Sequence, residues 1–311
     1  MAQVLRAGCR IMCVWEGEAP AEPVRREPHP PGKPTLRLAL RCWLPLVAVL
    51  LMLGGCSSSS SRLEPRVRQA IERGERLLGQ NRPERAQSEF RRAADLTSHK
   101  ADVYLLVISL NLNANPRVGT AAARAADFAG ELIELSDERK LDRELTPNEL
   151  KTLLRLYGSL SWELRRPAVG IQALEHAVAL FPNDPGCVND LGYLYAESGT
   201  KLDSALALTR RAVRASPNDW MYVDSLGWVY YKLGRYRDAA RELRRAVRIA
   251  PADADLRFHL GAAYARLGRR VEAEIEFRKA LACKSSHAGA SEWLKRLRRV
   301  PTPSKPGSHK A

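Results

Sequence analysis

Leu226-Gly227-Trp228-Val229-Tyr230 is the stretch that decides the fold, because the chain writes it three times. The other versions are Leu191-Gly192-Tyr193-Leu194-Tyr195 and Leu260-Gly261-Ala262-Ala263-Tyr264. The glycines are 35 and 34 residues apart. A period near 34 marks stacked two-helix units, each of which buries its apolar face only against its neighbours. The expected fold is all-α, a right-handed α-solenoid of helix-turn-helix units closed by a C-terminal capping helix.

Residues 220–253 show how one unit is built. A first helix, WMYVDSLGWVYYKL, ends at Gly234, where a C-cap wants positive φ. A second helix runs from about Tyr236 to Ile249, and Pro251 stops it. Gly227 lies mid-helix at a cost of roughly 1 kcal/mol against Ala, tolerable if the missing Cβ admits the partner helix. Ala239 and Ala246 are small contacts on that partner, with Leu243 between them. Gly199, Ala205, Ala212 and Pro217 repeat the pattern in residues 185–219, where one extra residue between Gly199 and Ala205 should lengthen the turn. Gly268, Ala273, Phe277 and Ala280 repeat it in residues 254–287.

Upstream the pattern fades. Residues 151–184 keep Gly158, Leu174, Ala177 and Pro182, preceded by a capping box at Thr146-Pro147-Asn148-Glu149. Residues 67–100 keep Gly74, Ala86, Phe90 and Ala93, with Asn81 at the turn. Residues 101–145 read as a degenerate unit whose helices, around 102–112 and 118–135, are parted by Asn115-Pro116. Residues 66–150 are thus degenerate N-terminal repeats and 151–287 the regular array. Trp293, Leu297 and Val300 form an apolar stripe opposite Lys295, Arg296, Arg298 and Arg299. Residues 288–300 are therefore a cap for the solenoid, or a basic helix lying on an anionic membrane. The basic tail, residues 301–311, reads as disordered.

The N-terminus reads as an address. Arg37 and Arg41 precede WLPLVAVLLMLGG, and the run ends Leu53-Gly54-Gly55-Cys56. A positive region, a short apolar stretch and small residues at the cut describe a secretory signal over residues 1–55. The last four residues look like a bacterial lipobox, with Cys56 as the lipidated residue carrying diacylglycerol and an amide-linked acyl chain such as palmitate. A transmembrane anchor is the alternative, but its apolar part is short of the roughly 20 residues a span needs. Residues 56–65 then form a Ser-rich tether. Residues 1–33, rich in Pro, Glu and Arg, are read as an over-extended gene start.

The formal charge is +15 over 311 residues. Beyond residue 55 the net is +12, and +11 of that lies in residues 185–311. Such an imbalance is a solvated basic surface, or a face for an acidic partner. Cys187 and Cys283 are read as small core residues. None of the six histidines has a His or acidic neighbour at a metal-binding or helix-face spacing that stands out, and no metal-ligand pattern, phosphate loop or nucleophile elbow is present. No catalytic residue, metal or cofactor is expected, and the chain is not read as an enzyme.

The three Leu-Gly-x-x-Tyr units closely resemble the tetratricopeptide repeat. Asp224-Ser225-Leu226-Gly227-Trp228-Val229-Tyr230-Tyr231, with Leu191-Gly192-Tyr193 and the inserted turn, resembles a group of bacterial tetratricopeptide lipoproteins that act as periplasmic scaffolds. That resemblance implies a lipid-anchored adaptor in the cell envelope, at the outer membrane and facing the periplasm, with a protein or peptide partner and no nucleic acid. It also implies that first helices line a concave groove. The groove candidates are Asn189, Tyr193, Asp224, Trp228, Tyr231, Lys232, Phe258 and Arg266; for Trp228 and Tyr231 the competing reading is packing between units. The arginines of the second helices, Arg210, Arg211, Arg214, Arg241, Arg244, Arg245 and Arg248, would face the convex side. A polyanion or lipid binder, and a non-catalytic regulatory subunit of an envelope hydrolase, remain as alternatives.

Overall fold

A computed structural model describes residues 64–113, 118–141 and 144–299. The signal sequence, Cys56, the serine tether, residues 1–33, Asn115-Pro116, Val300 and the basic tail lie outside the described residues. Within them the chain is an all-α solenoid of thirteen helices. They are α1 (Pro65–Gly79), α2 (Pro83–Asp95), α3 (Lys100–Asn113), α4 (Val118–Asp137), α5 (Pro147–Glu163), α6 (Pro167–Leu180) and α7 (Pro185–Ser198). The rest are α8 (Leu202–Ala215), α9 (Trp220–Lys232), α10 (Tyr236–Ile249), α11 (Ala254–Arg266), α12 (Arg270–Cys283) and α13 (Ala288–Arg299).

Each odd helix packs on the even helix after it, and each even helix on the next odd one. Odd helices from α5 onward also pack on one another, while contacts between successive even helices are slighter. The first helices therefore form the inner row of the stack and the second helices its outer row.

Close approach within a pair is set by residues without bulk. A Cβ placed on Gly227 would sit 2.7 Å from Leu243 Cγ and 2.9 Å from Leu243 Cδ2. Leu243 is fully buried, flanked by Ala239 and Ala246, also at 0% exposure. The mid-helix glycine is thus the hole into which α10 inserts its leucine.

The turns follow the same economy. Gly234 takes φ 76° after α9. The unit with the extra residue uses two left-handed positions, Gly199 at 69° and Lys201 at 46°. A lysine is disfavoured there, but its Nζ donates to Glu175 Oε1 at 2.8 Å and to the Tyr195 hydroxyl at 3.1 Å. The turn is nevertheless three residues here as in the next two units, a correction to the expected longer turn: the extra residue extends α7, which is one residue longer than α9 and α11. The Lys201 contacts tie the turn back to the preceding unit.

Helix starts are held by a feature that recurs with the repeat. Asp184, Asp219 and Asp253 are N-caps of α7, α9 and α11. Each accepts a backbone N–H at 2.9 Å, from Cys187, Met221 and Asp255 respectively. His287 takes over the position before α13, its Nδ1 accepting the Ala290 N–H at 3.1 Å. Upstream, the Thr146–Glu149 capping box closes the first turn of α5, with Pro147 at the first helical position.

The cap helix α13 docks by Trp293, whose ring stacks on Phe277 at 5.7 Å. Cys187 is fully buried, as a core residue should be. Cys283 is a correction: it is exposed. It is the last residue of α12, beyond Ala280, the last fully buried side chain of that helix, and Leu281, which is partly buried against the core.

Candidate functional site: the inner row of first helices

Residues at equal offsets from the helix glycine repeat the same place along the inner row. The offsets that meet across a seam are three residues before the glycine in one unit and two residues before it in the next. Arg155, three before Gly158, donates from Nε to Oδ2 of Asp190, two before Gly192, at 2.7 Å. Asp224, three before Gly227, meets His259, two before Gly261. His259 Nδ1 lies 2.8 and 3.1 Å from the two carboxylate oxygens of Asp224. The same geometric slot is an Arg–Asp pair at one seam and an Asp–His pair at another.

Burial alone would favour neutral His259, yet its pKa is raised. The adjacent Asp224 carboxylate outweighs burial and favours the protonated imidazole, with Asp255 and Glu197 adding to the field. Asp255 in turn pairs with His287 Nε2 at 3.0 Å. Burial pushes Asp255 up, but the contact with His287 and the charges of Lys284 and His259 outweigh it and hold the carboxyl below its ordinary value. Burial likewise opposes the charge on Arg155, and Asp190 overrides it, raising that pKa as well.

Aromatic rings run along the same row. Tyr231 stacks on Trp228 at 4.7 Å with 2° between planes, and Trp228 stacks on His259 at 4.2 Å. Tyr236 meets Tyr231 edge-on at 5.5 Å. Phe258 lies 4.8 Å from His287 and 5.9 Å from Phe277. Trp228 donates its indole N–H to Glu197, which also pairs with Lys232 at 3.1 Å, and the Lys232 ammonium sits 5.3 Å from the Trp228 ring. Tyr193 is half-buried among Glu197, Asp224, Asp255 and Glu163; burial first, then these carboxylates, pushes its phenol well above the usual value.

The structure thus brings the candidate residues into one row but gives them different roles. Asn189 and Asp224 were expected on an open face. They are buried, at 6% and 7% exposure: Asp224 is drawn into the seam by His259 of the next unit, and Asn189 donates to its neighbour Asp190 at 3.3 Å. Trp228 stacks across the seam on His259, whereas the ring contacts of Tyr231 stay within its own unit, with Trp228 and Tyr236; both side chains remain partly exposed. Tyr193, Lys232 and Phe258 are half-buried, and Arg266 is exposed with its guanidinium 5.0 Å from the Tyr236 ring. Sequence reasoning missed His259, His287, Glu197 and Glu163. The 35-residue step from Asp224 to His259 was the available signal, because it equals one repeat plus one position.

Glu163 stands out electrostatically. It is half-buried, and burial pushes its carboxyl up to about 7, opposed only by Arg165. On the outer row, by contrast, much of the basic stripe is already engaged. Arg210 donates from Nη2 to the Tyr230 hydroxyl at 2.9 Å, and Arg211 and Arg245 reach the carbonyls of Pro182 and Pro217 in the preceding loops. Among the described residues, no group of three His, Cys, Asp or Glu side chains could hold a metal ion, and no helix is long and apolar enough to cross a membrane.

A solenoid of paired helices with a polar and aromatic inner row defines a class of repeat protein. Residues 158–219 and 225–288 match the family model described as the tetratricopeptide repeat, so the chain carries tetratricopeptide repeats. No curated protein matches the chain by sequence. Among solved structures it is similar to the Cut9–Hcn1 hetero-tetramer of the APC/C, with 17% identity and a TM-score of 0.53. That match covers 85% of this chain and 46% of the other. It is similar also to a thermophilic tetratricopeptide protein of Thermus thermophilus, with 18% identity and a TM-score of 0.48, over 59% of this chain and 97% of that one. A third is the first repeat domain of Spaghetti (RPAP3) bound to an HSP90 peptide, at 20% identity and a TM-score of 0.34, over 36% and 87%. The first of these likenesses supports the fold. As a class, tetratricopeptide repeats serve as protein-interaction scaffolds.

Proposed function

We propose that this chain is a bacterial lipoprotein scaffold, anchored through Cys56 at the outer membrane and facing the periplasm, that binds a protein partner along its inner row. One observation carries the binding part of this reading. Tyr193, Trp228, Tyr231 and Phe258 remain partly exposed on consecutive first helices. Partly exposed aromatics in a row give a partner large apolar contacts at low cost in side-chain entropy. The side chains of the seam are used in structural pairs, which suits a rigid scaffold with no chemistry of its own.

The anchor rests on the lipobox-like Leu53-Gly54-Gly55-Cys56 and the basic, apolar run before it. Two acyl signals on one cysteine would hold the protein stably on a bilayer. Two measurements test the proposal. Labelling with an alkynyl fatty acid should be lost in Cys56→Ser. A photo-crosslinking residue at position 266, on the inner row, should capture a partner that the same residue at position 248, on the outer row, does not. Labelling that survives Cys56→Ser removes the anchor; equal capture from both positions removes the groove.

A further inference from the structure

The position five residues after each helix glycine repeats along the inner row. It is held by Glu163 in α5, Glu197 in α7, Lys232 in α9 and Arg266 in α11. Four equivalent places on successive first helices therefore read acid, acid, base, base. The two central members neutralise one another, with Lys232 Nζ 3.1 Å from Glu197 Oε1 and both side chains largely covered. The two ends do not. Among the described residues Glu163 has no ion pair or hydrogen bond, and Arg266 has no carboxylate, only the Tyr236 ring beneath it. Between the ends lie Tyr193 and Trp228, each one residue after its helix glycine.

We propose that the inner row is polarised, and that it takes a partner segment presenting a Lys or Arg side chain to Glu163 and an Asp or Glu side chain to Arg266. This rests on the groove reading above and adds the partner's charge order and its direction along the row. Charge complementarity sets this preference. A half-buried carboxylate with no contact ion pair, and only the charge of Arg165 nearby, is disfavoured by desolvation, and an incoming ammonium or guanidinium relieves it. Arg266 offers an exposed planar fork suited to a carboxylate. The paired centre has no charge to offer, so discrimination falls on the two ends, and the aromatic residues between them supply contact area without sequence demand. Reversing the segment would set like charges at both ends, which is how charge order fixes orientation.

The test is selection from a phage-displayed random peptide library on the full chain in detergent. Four variants run in parallel: Glu163→Gln, Arg266→Gln, the double reversal Glu163→Lys with Arg266→Glu, and Trp228→Ala. Circular dichroism confirms that each remains folded. The wild type should select segments with a basic residue at one end and an acidic residue at the other. Glu163→Gln should relax the basic preference alone and weaken binding of selected peptides by about three- to ten-fold. Arg266→Gln should relax the acidic preference alone, and the double reversal should invert the order. If Trp228→Ala abolishes capture while the charge variants leave selection unchanged, the groove stands and the polarity is overturned. Wild-type selection without charge order overturns the polarity too. If Trp228→Ala leaves capture intact, or nothing is selected, both readings fall.

Discussion

Replacing Gly227 with Ala sets two well-measured effects against each other. In an exposed helix interior the change would stabilise by about 1 kcal/mol, because Gly costs that much more backbone entropy. Here the new Cβ would meet Leu243 Cγ at 2.7 Å, Cδ2 at 2.9 Å and the Leu243 backbone nitrogen at 3.3 Å. Leu243 is fully buried, so its side chain has nowhere to swing. Overpacking of this kind typically costs about 1–3 kcal/mol. A contact with backbone as well as side chain places Gly227→Ala toward the upper part of that range. The net expectation is a loss of roughly 1–2 kcal/mol after the helix gain. Gly79 supplies the control. It is the last residue of α1, and a Cβ there would meet no atom within 4 Å. Gly79→Ala should therefore stabilise, by up to about 1 kcal/mol. Urea unfolding followed by circular dichroism reads both signs, and hydrogen exchange in α9 and α10 localises the first, since repeat arrays need not unfold in one step. Leu243→Ala alone should cost about 2–5 kcal/mol, and less in the Gly227→Ala background, where the new methyl occupies part of the space. Equal or greater stability of Gly227→Ala, or strict additivity in the double variant, would refute the close-packing argument.

The pH profile should carry the mark of His259 and Glu163. His259 has a folded pKa above its unfolded value of about 6.5, so its contribution is full below that pH and is lost as pH rises through the folded pKa. Glu163, raised from 4.5 to about 7, acts in the same direction between those values. Melting temperature should fall from about pH 5 to pH 8, and Glu163→Gln should flatten the part below about pH 7; a profile that rises over this range contradicts the assignment. Asp224→Asn should cost about 3–5 kcal/mol by leaving His259 buried without its carboxylate, and a variant within about 1 kcal/mol of wild type would show the pair to be dispensable. Cys283 should react with iodoacetamide in the folded protein, whereas Cys187, which burial and then Asp184 push up to about 12, should react only on unfolding; peptide mapping by mass spectrometry distinguishes the two.

What the sequence made legible was whatever repeats within one unit. The second helix read from Tyr236 to Ile249 is α10 with those bounds, and Gly234, Asn81 and the Thr146 capping box take the conformations their chemistry demands. The less visible features couple one unit to the next. Arg155–Asp190 and Asp224–His259 share one pair of register positions but no common pairing of residue types, so neither pair announces itself along the chain. The N-cap aspartates at 184, 219 and 253 recur with the period, yet the eye follows the Leu-Gly-x-x-Tyr core and passes over them. Their successor His287 is a different residue type in the same role. Cys283 was misplaced because residue type suggested core, whereas its place at the end of α12 decides exposure. Tyr193 and Trp228 are singled out by a different rule, since side chains beside a repeated packing position are free to vary. Asp224 lies at such a position too, but a histidine one repeat onward claims it.

The account's central claim is that the inner row, and not the basic outer row, holds a protein partner. Quantitative pull-down from native envelopes with wild type, Trp228→Ala and Arg248→Ala tests it most directly. The account predicts a specific partner that is retained by Arg248→Ala and lost by a folded Trp228→Ala. Retention of every partner by Trp228→Ala, or loss confined to Arg248→Ala, would contradict it.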